Sequence, residues 1–93
     1  MKNTYQIYLI SDSTGETLDR IFIAIKAQFK NIDYKIHTFS FTRTQNQILK
    51  ILEDASKNTN SIILYSIVDN NLAKYLANTS SDKRIPCFGI LGD

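Results

Sequence analysis

Four apolar runs alternate with three amphipathic segments along this chain of 93 residues, and this alternation constrains its fold more than any other feature. Apolar strands that alternate with helices are typical of consecutive βαβ units, whose strands lie parallel in one sheet. The predicted strands are Tyr5–Ile10, Tyr34–Phe41, Ser61–Ile67 and Cys87–Leu91, and the predicted helices run over Thr14–Lys30, from Thr44 and from Asp69. The sequence therefore predicts a single α/β domain over residues 1–93.

The order of the strands follows from the handedness of their connections. Right-handed crossovers predict a four-stranded parallel sheet in the order 2-1-3-4, with helix one on one face and helices two and three on the other. This is half of a three-layer fold of the Rossmann or flavodoxin type. Because no helix follows strand four in the sequence, we expect an apolar face near that strand to lie bare. Either the chain is the N-terminal part of a longer two-domain protein, or a homodimer covers this face.

Composition and charge exclude several classes of protein. Eleven basic and nine acidic residues are dispersed along the chain, without the basic stripe that binds nucleic acid. No apolar run approaches the roughly 20 residues that a membrane-spanning helix needs. The single cysteine, Cys87, cannot form an internal disulfide and follows Pro86 in an apolar run. We therefore expect a cytoplasmic protein in which Cys87 is a core residue and not a nucleophile.

The segment from Tyr5 to Thr17 is a strand–loop–helix corner. Ser13 and Glu16 match the S-x-x-E capping box, which predicts that helix one begins at Thr14. The free N–H groups of that first turn, together with the helix dipole, favour a bound anion. A second capping box, T-x-x-Q at Thr44, and the N-cap residue Asp69 predict the starts of the other two helices.

Polar residues follow each strand, and the carboxyl ends of parallel strands share one edge of a sheet. The residues of this candidate anion-binding cleft are Ser11, Asp12, Ser13, Thr14, Gly15, Arg43, Thr44 and Asp69, with Thr42, Ser66, Gly89, Gly92 and Asp93 at the same predicted edge. We predict weak binding of phosphate or sulfate near the start of helix one, with Arg43 as the second partner. The charge of Asp12 limits the affinity unless Arg43 neutralises it.

Each charged member of this set also has a structural interpretation. Asp12 can hold a cation or a substrate ammonium group, or it can be a turn residue before the helix. Arg43 can clamp a phosphate or carboxylate, or it can pair with Asp12 across adjacent strand ends. Asp69 is first an N-cap and only second a ligand. His37 lies in mid-strand without a Cys or His companion, so no metal site is predicted.

Two common catalytic signatures are missing from the sequence. Ser11–Gly15 contains one glycine and no lysine, so it is neither a dinucleotide-binding fingerprint nor a P-loop. No Ser-His-Asp or Cys-His arrangement offers a base with an orienting partner.

The sequence blocks, taken in order, resemble a known family. They are I-Y-L-I-S-D-S-T-G-E-T from Ile7, F-T-R-T from Phe41, I-V-D from Ile67, I-P-C from Ile85 and L-G at Leu91. Together they resemble the N-terminal region of the pyruvate, phosphate dikinase regulatory proteins, whose sister group regulates phosphoenolpyruvate synthase.

The resemblance implies a bifunctional serine/threonine kinase and phosphorylase. Such an enzyme phosphorylates a threonine of the dikinase with ADP, and it removes the phosphoryl group with inorganic phosphate, as pyrophosphate. The family's ADP site is a P-loop downstream of this region, so we expect no cofactor in this chain and no activity from it alone. The alternative is a non-catalytic α/β interaction or anion-binding module that dimerises. The resemblance does not decide which of Ser11, Asp12, Thr14 or Arg43 contacts substrate.

Overall fold

The fold is a parallel sheet with helices on both faces. A computed structural model of the chain describes residues 4–28 and 31–90. The elements are β1 (Thr4–Ser11), α1 (Glu16–Lys26), β2 (Asp33–Phe39), α2 (Gln45–Ala55), β3 (Ser61–Ser66), α3 (Asn70–Asp82) and β4 (Cys87–Gly89). All neighbouring strands are parallel, and their order is β2-β1-β3-β4. The predicted sheet, its strand order and its three crossover helices are confirmed.

The central strand β1 divides its side chains between two apolar layers, because successive residues of a strand point to opposite faces. Tyr8 and Ile10 pack with α2 and α3, and this larger cluster includes Ile63 and Leu76. Leu9 packs on the other face in a cluster whose remaining buried members are Leu18, Phe22 and Leu64. Among the described helices, α1 therefore lies alone on its face, as the crossover rule predicts.

Two of the three predicted helix starts are correct in detail. The Thr44 hydroxyl accepts from the backbone N–H of Gln47 at 3.1 Å, and the Gln47 side chain accepts from the backbone N–H of Thr44 at 3.0 Å. The carboxylate of Asp69 accepts from the backbone N–H of Leu72 at 2.9 Å. These contacts satisfy N–H groups that a helix leaves without partners in its first turn.

The predicted capping box at Ser13 is wrong, and α1 begins at Glu16 instead of Thr14. Gly15 is the N-cap residue, with a left-handed φ of 85°, and no side chain of the described residues caps this helix. The physical reason is a competing tertiary contact: the Ser13 carbonyl accepts from the backbone N–H of Phe41 at 2.9 Å. This bond ties the loop to the end of β2, so the chain passes through Ser13 and Thr14 before it turns into the helix at Gly15.

Other element ends also differ from prediction. Strand β2 ends at Phe39 and not at Phe41, because Phe41 has a φ of 55° that turns the chain out of the strand. Strand β3 ends at Ser66, one residue before the predicted Ile67. Helix α1 ends at Lys26, and its predicted extension to Lys30 reaches into residues 29–30, outside the described part. Strand β4 ends at Gly89, since Ile90 is described and is not in the strand, and the predicted end at Leu91 lies outside the described residues.

The apolar face predicted beside strand four is present. On the α1 side of the sheet, the Phe88 side chain of β4 is 56% exposed. Phe88 lines a groove with Ile62, Leu64 and residues of α1. Among the described residues, no helix is both long and apolar enough to cross a membrane.

Candidate active-site cleft

The loop after β1 is held by hydrogen bonds to both neighbouring strand ends. On the β2 side, Ser11 and Ser13 accept through their carbonyl oxygens from the backbone N–H groups of Thr42 and Phe41, at 2.8 and 2.9 Å. Within the loop, the Ser11 hydroxyl accepts from the backbone N–H of Ser13 at 3.1 Å. Ser11 is 3% exposed, so its hydroxyl supports the loop and does not face solvent.

Asp12 joins the same loop to the end of β3. Its carboxylate oxygen Oδ2 accepts from the backbone N–H of Val68 at 2.8 Å, and its own N–H donates to the Ser66 carbonyl at 3.3 Å. The second carboxylate oxygen has no hydrogen bond to any described residue. Asp12 therefore supports the turn after β3 and not the turn before α1 that its structural interpretation predicted, and it retains one oxygen for a ligand.

The Arg43 side chain lies across the loop from the β2 side. Its Nε–H donates to the backbone carbonyl of Asp12 at 3.0 Å, and the guanidinium carbon lies 5.3 Å from the centre of the Phe41 ring. The alternative pairing of Arg43 with Asp12 thus forms through the backbone carbonyl of Asp12 and not through its carboxylate. Since Nε–H is the only guanidinium group bonded to a described residue, the terminal N–H groups remain available to an anion.

These side chains meet in an open cleft of about 510 Å³ at the carboxyl edge of the sheet, lined by Asp12, Arg43, Val68, Asp69 and Leu72. Asp69 contributes from the start of α3, where one of its carboxylate oxygens is occupied by the N–H of Leu72. The cleft combines one guanidinium with two carboxylates, so it suits a ligand that has both an anionic group and a hydrogen-bond donor.

Other predicted site residues lie beside the cleft and not in its lining. Ser13, Thr14 and Gly15 belong to the loop before α1, where the Thr14 carbonyl accepts from the Ser40 hydroxyl at 3.0 Å. Thr44 is used in the capping of α2. Gly92 and Asp93 lie outside the described residues. Anion binding at the start of α1 stays a prediction.

Two apolar residues of this region were missed by sequence reasoning. Val68 is 84% exposed between β3 and the cap of α3, and Phe41 is 53% exposed beside Arg43. The position of Val68, directly before an N-cap aspartate and after a buried strand, is a signal that could have placed it at the edge. The exposure of Phe41 had no such signal, because it follows from a positive φ that an aromatic residue rarely adopts.

Three titratable groups away from the cleft, Tyr8, Cys87 and His37, belong to the apolar core or pack against it. Burial, followed by the nearby Asp54 carboxylate, raises the pKa of Tyr8 to about 12, and its hydroxyl donates to that carboxylate at 2.8 Å. Burial also raises the pKa of the half-buried Cys87 thiol, which agrees with a core residue. His37 stacks on Tyr8, with 4.5 Å between ring centres, and its Nε2 hydrogen-bonds to Gln6. Within residues 4–28 and 31–90, no three His, Cys, Asp or Glu side chains are grouped as metal ligands would be.

Comparison with known proteins covers almost the whole chain. The family model described as kinase/pyrophosphorylase matches residues 7–93. A pyruvate, phosphate dikinase regulatory protein, so named, of Pelagibacter ubique (strain HTCC1062) is 67% identical over the whole chain, which covers 34% of that relative. Proteins of the same name from Geotalea uraniireducens (strain Rf4) and Alkaliphilus oremlandii (strain OhILAs) are 41% and 42% identical. In those two comparisons the alignment covers 92% and 86% of this chain, and 32% and 28% of the relatives.

The chain thus spans about a third of the length of the curated relatives that it matches. The match includes the strand ends that form the cleft, from Asp12 to Asp69. The chain belongs to the kinase/pyrophosphorylase family.

Proposed function

We propose that this chain is the N-terminal, target-binding part of a cytoplasmic regulatory enzyme. The longer protein phosphorylates a threonine of pyruvate, phosphate dikinase, or of phosphoenolpyruvate synthase, and removes the phosphoryl group by phosphorolysis. The family match and the names of the relatives support this activity. The observation that carries the role of this chain is the anchored Arg43 side chain at the open cleft of the carboxyl edge.

In this proposal, Arg43 binds the anionic group in either direction of the reaction. Its Nε–H bond to the Asp12 carbonyl and its contact with the Phe41 ring fix the plane of the guanidinium. A fixed guanidinium can bind two oxygens of a phosphoryl group or of inorganic phosphate side by side. Asp12 and Asp69 weaken this binding by repulsion, and they also offer carboxylate oxygens to a hydroxyl or ammonium group of the target.

The described residues do not fit the phosphates of ADP. The loop from Ser11 to Gly15 lacks a P-loop lysine, and Gly15 is its only glycine. The cleft beside it has two carboxylates against one guanidinium. We therefore assign the ADP site to the part of the longer protein outside this chain. Phosphoryl transfer depends on positioning and charge neutralisation. This chain alone should accordingly have no kinase or phosphorylase activity.

The test compares this chain with a longer chain, made by joining it to the remaining two thirds of the relative that is 67% identical. ADP-dependent incorporation of phosphate into the dikinase is measured for both, and for the same longer chain with Arg43→Ala. Arg20→Ala is the matched control, because Arg20 is an exposed arginine of α1 outside the cleft. We expect activity only in the longer chain, a loss of at least tenfold with Arg43→Ala, and no change with Arg20→Ala.

Two results would contradict the proposal. Activity from this chain alone would place the nucleotide site within it. Full activity of the Arg43→Ala variant would show that Arg43 binds neither the target nor phosphate.

A titration of this chain with inorganic phosphate, followed by amide NMR, measures anion binding directly. Chemical-shift changes at Arg43 and Asp12 at phosphate concentrations up to tens of millimolar, about the weak limit of specific binding, support the anion-binding role.

The second candidate function is a non-catalytic module that dimerises. The exposed Phe88 on the bare face favours it. Light scattering on this chain, with and without Phe88→Ser, separates the candidates: a dimer that the substitution dissociates supports the module.

A further inference from the structure

We propose that the apolar groove beside α1 binds a single amphipathic helix from the part of the longer family members that this chain does not include. The groove, called here the α1-side groove, has a volume of about 320 Å³. Its floor includes Ile7, Ile62, Leu64 and Phe88 of the sheet, and its wall includes Phe22 and Ile25 of α1. This inference shares with the proposed function the premise that the chain is part of a longer protein, but it does not depend on the kinase or phosphorylase activity, and its test does not measure activity.

The layers of the fold show that this face lacks one helix. Strands lie about 4.8 Å apart, so four strands span about 14 Å between the axes of the outer two. A helix with its side chains is about 10 Å wide and covers about two strands. Of the helices in residues 4–28 and 31–90, α2 and α3 cover one face of the sheet and α1 covers the other. Phe88, at 56% exposure, lies on the uncovered half.

The shape of the groove favours a helix of the same protein over a second copy of this chain. A twofold dimer needs a surface that is complementary to itself. This groove is recessed beside α1, so a second copy would have to insert a protruding element. By contrast, the chain covers only 34% of the relative that is 67% identical, which leaves about two thirds of that protein to supply the missing layer.

The topology also identifies which kind of segment reaches the groove. Right-handed crossovers that continue beyond β4 in the same direction place the next helix on the face of α2 and α3. If the sheet extends in that direction, the occupant comes from a later part of the chain that returns across the sheet. Lys26 is the one charged side chain among the described lining residues. The occupant should accordingly have an apolar stripe for Phe88 and Ile62, and an acidic residue opposite Lys26.

The experiment compares this chain with the longer chain described above, each with and without Phe88→Ser. Ile23→Ser is the matched control, because Ile23 is 58% exposed on α1 and does not line the groove. In this chain alone, Phe88→Ser should shift the unfolding midpoint by no more than Ile23→Ser does. In the longer chain, where the groove is filled, Phe88→Ser should lower the midpoint by about 5–10 °C, as expected for the loss of a buried phenylalanine.

Amide hydrogen exchange of the unsubstituted proteins gives a second measurement. We expect slower exchange of the N–H groups of Cys87–Gly89 and of α1 in the longer chain, at a rate that does not depend on protein concentration. Equal exchange in both chains, or equal small effects of Phe88→Ser, would show that the groove stays empty and would overturn the proposal. A dimer of this chain that Phe88→Ser dissociates would overturn it as well, since the occupant would then be a second copy.

Discussion

Replacement of Asp12 by alanine should lower the free energy of unfolding of this chain by about 1 kcal/mol. The substitution removes the carboxylate oxygen that accepts from the Val68 N–H at 2.8 Å. A hydrogen bond to a charged group contributes about 1.5–3 kcal/mol where water is excluded. Val68 is 84% exposed, so water replaces the lost acceptor and the cost falls below that range. A loss of about 1 kcal/mol corresponds to about 4–8 °C in the unfolding midpoint of a domain of this size.

Asp12→Asn separates the acceptor from the charge. Asparagine keeps a side-chain oxygen in reach of Val68, so we expect less than half of the loss caused by Asp12→Ala. Glu53→Ala, on the exposed face of α2, is the control for removal of a carboxylate alone. Thermal unfolding followed by circular dichroism measures all three variants. An unchanged midpoint for Asp12→Ala would refute the contribution of the hydrogen bond, and equal losses for Asp12→Ala and Asp12→Asn would assign the effect to charge.

This distinction decides how Asp12 is tested for function. From the sequence, we expect Asp12→Ala and Arg43→Ala in the longer protein to lower activity more than stability. The contact with Val68 gives Asp12→Ala a structural cost of its own. Asp12→Asn, which leaves that contact in place, is therefore the variant whose activity reports on the carboxylate.

Two further predictions concern the loop before α1 and the core. Gly15→Ala should cost about 1 kcal/mol, from the left-handed conformation alone, because an added Cβ would lie no closer than 3.6 Å to the Ser40 hydroxyl. Gly15→Asn should cost about half as much, since asparagine adopts this conformation more readily; equal costs in chemical denaturation would point to a steric cause instead. Tyr8→Phe should weaken the fold by about 1 kcal/mol at neutral pH, through the lost bond to Asp54. The folded-state pKa of about 12 lies above the ordinary value of 10.0, so the contribution of Tyr8 is complete below pH 10 and is lost as the pH rises toward 12. Between about pH 8 and about pH 11, the unfolding midpoint should therefore fall further for the unsubstituted chain than for Tyr8→Phe. Equal falls in the two proteins would show that the ionisation of Tyr8 does not cause the loss.

The sheet could be predicted from the sequence because its strands and helices follow from short sequence patterns and its strand order follows from a rule that holds for most parallel sheets. The apolar runs and amphipathic segments set the elements, and right-handed crossovers then allow few strand orders. The caps at Thr44 and Asp69 were predictable for the same reason, since donor and acceptor lie within three residues of each other. The convergence of Asp12, Arg43 and Asp69 also followed from the common carboxyl edge of parallel strands.

The details of the site were not predictable, because they depend on contacts between distant parts of the chain. Ser13 has the local pattern of a helix cap, yet its carbonyl is bound by Phe41 and the cap position passes to Gly15. Asp12 has the pattern of a turn residue for α1, yet its carboxylate supports the turn after β3. In both cases a hydrogen bond across the sheet edge replaced the partner that the sequence pattern indicated.

The conformation of Phe41 accounts for the position of Arg43 in the cleft. A positive φ of 55° at a phenylalanine is unfavourable, and a residue held in such a conformation costs on the order of 1–3 kcal/mol. Two backbone hydrogen bonds to the β1 loop, from Phe41 and Thr42, offset this cost and fix the turn. The turn leaves the Phe41 ring exposed at the point where the guanidinium of Arg43 rests on it. Arg43 is therefore held over the loop of Asp12 by a strained turn in the neighbouring strand end, and this fixed position is what the proposed anion binding requires.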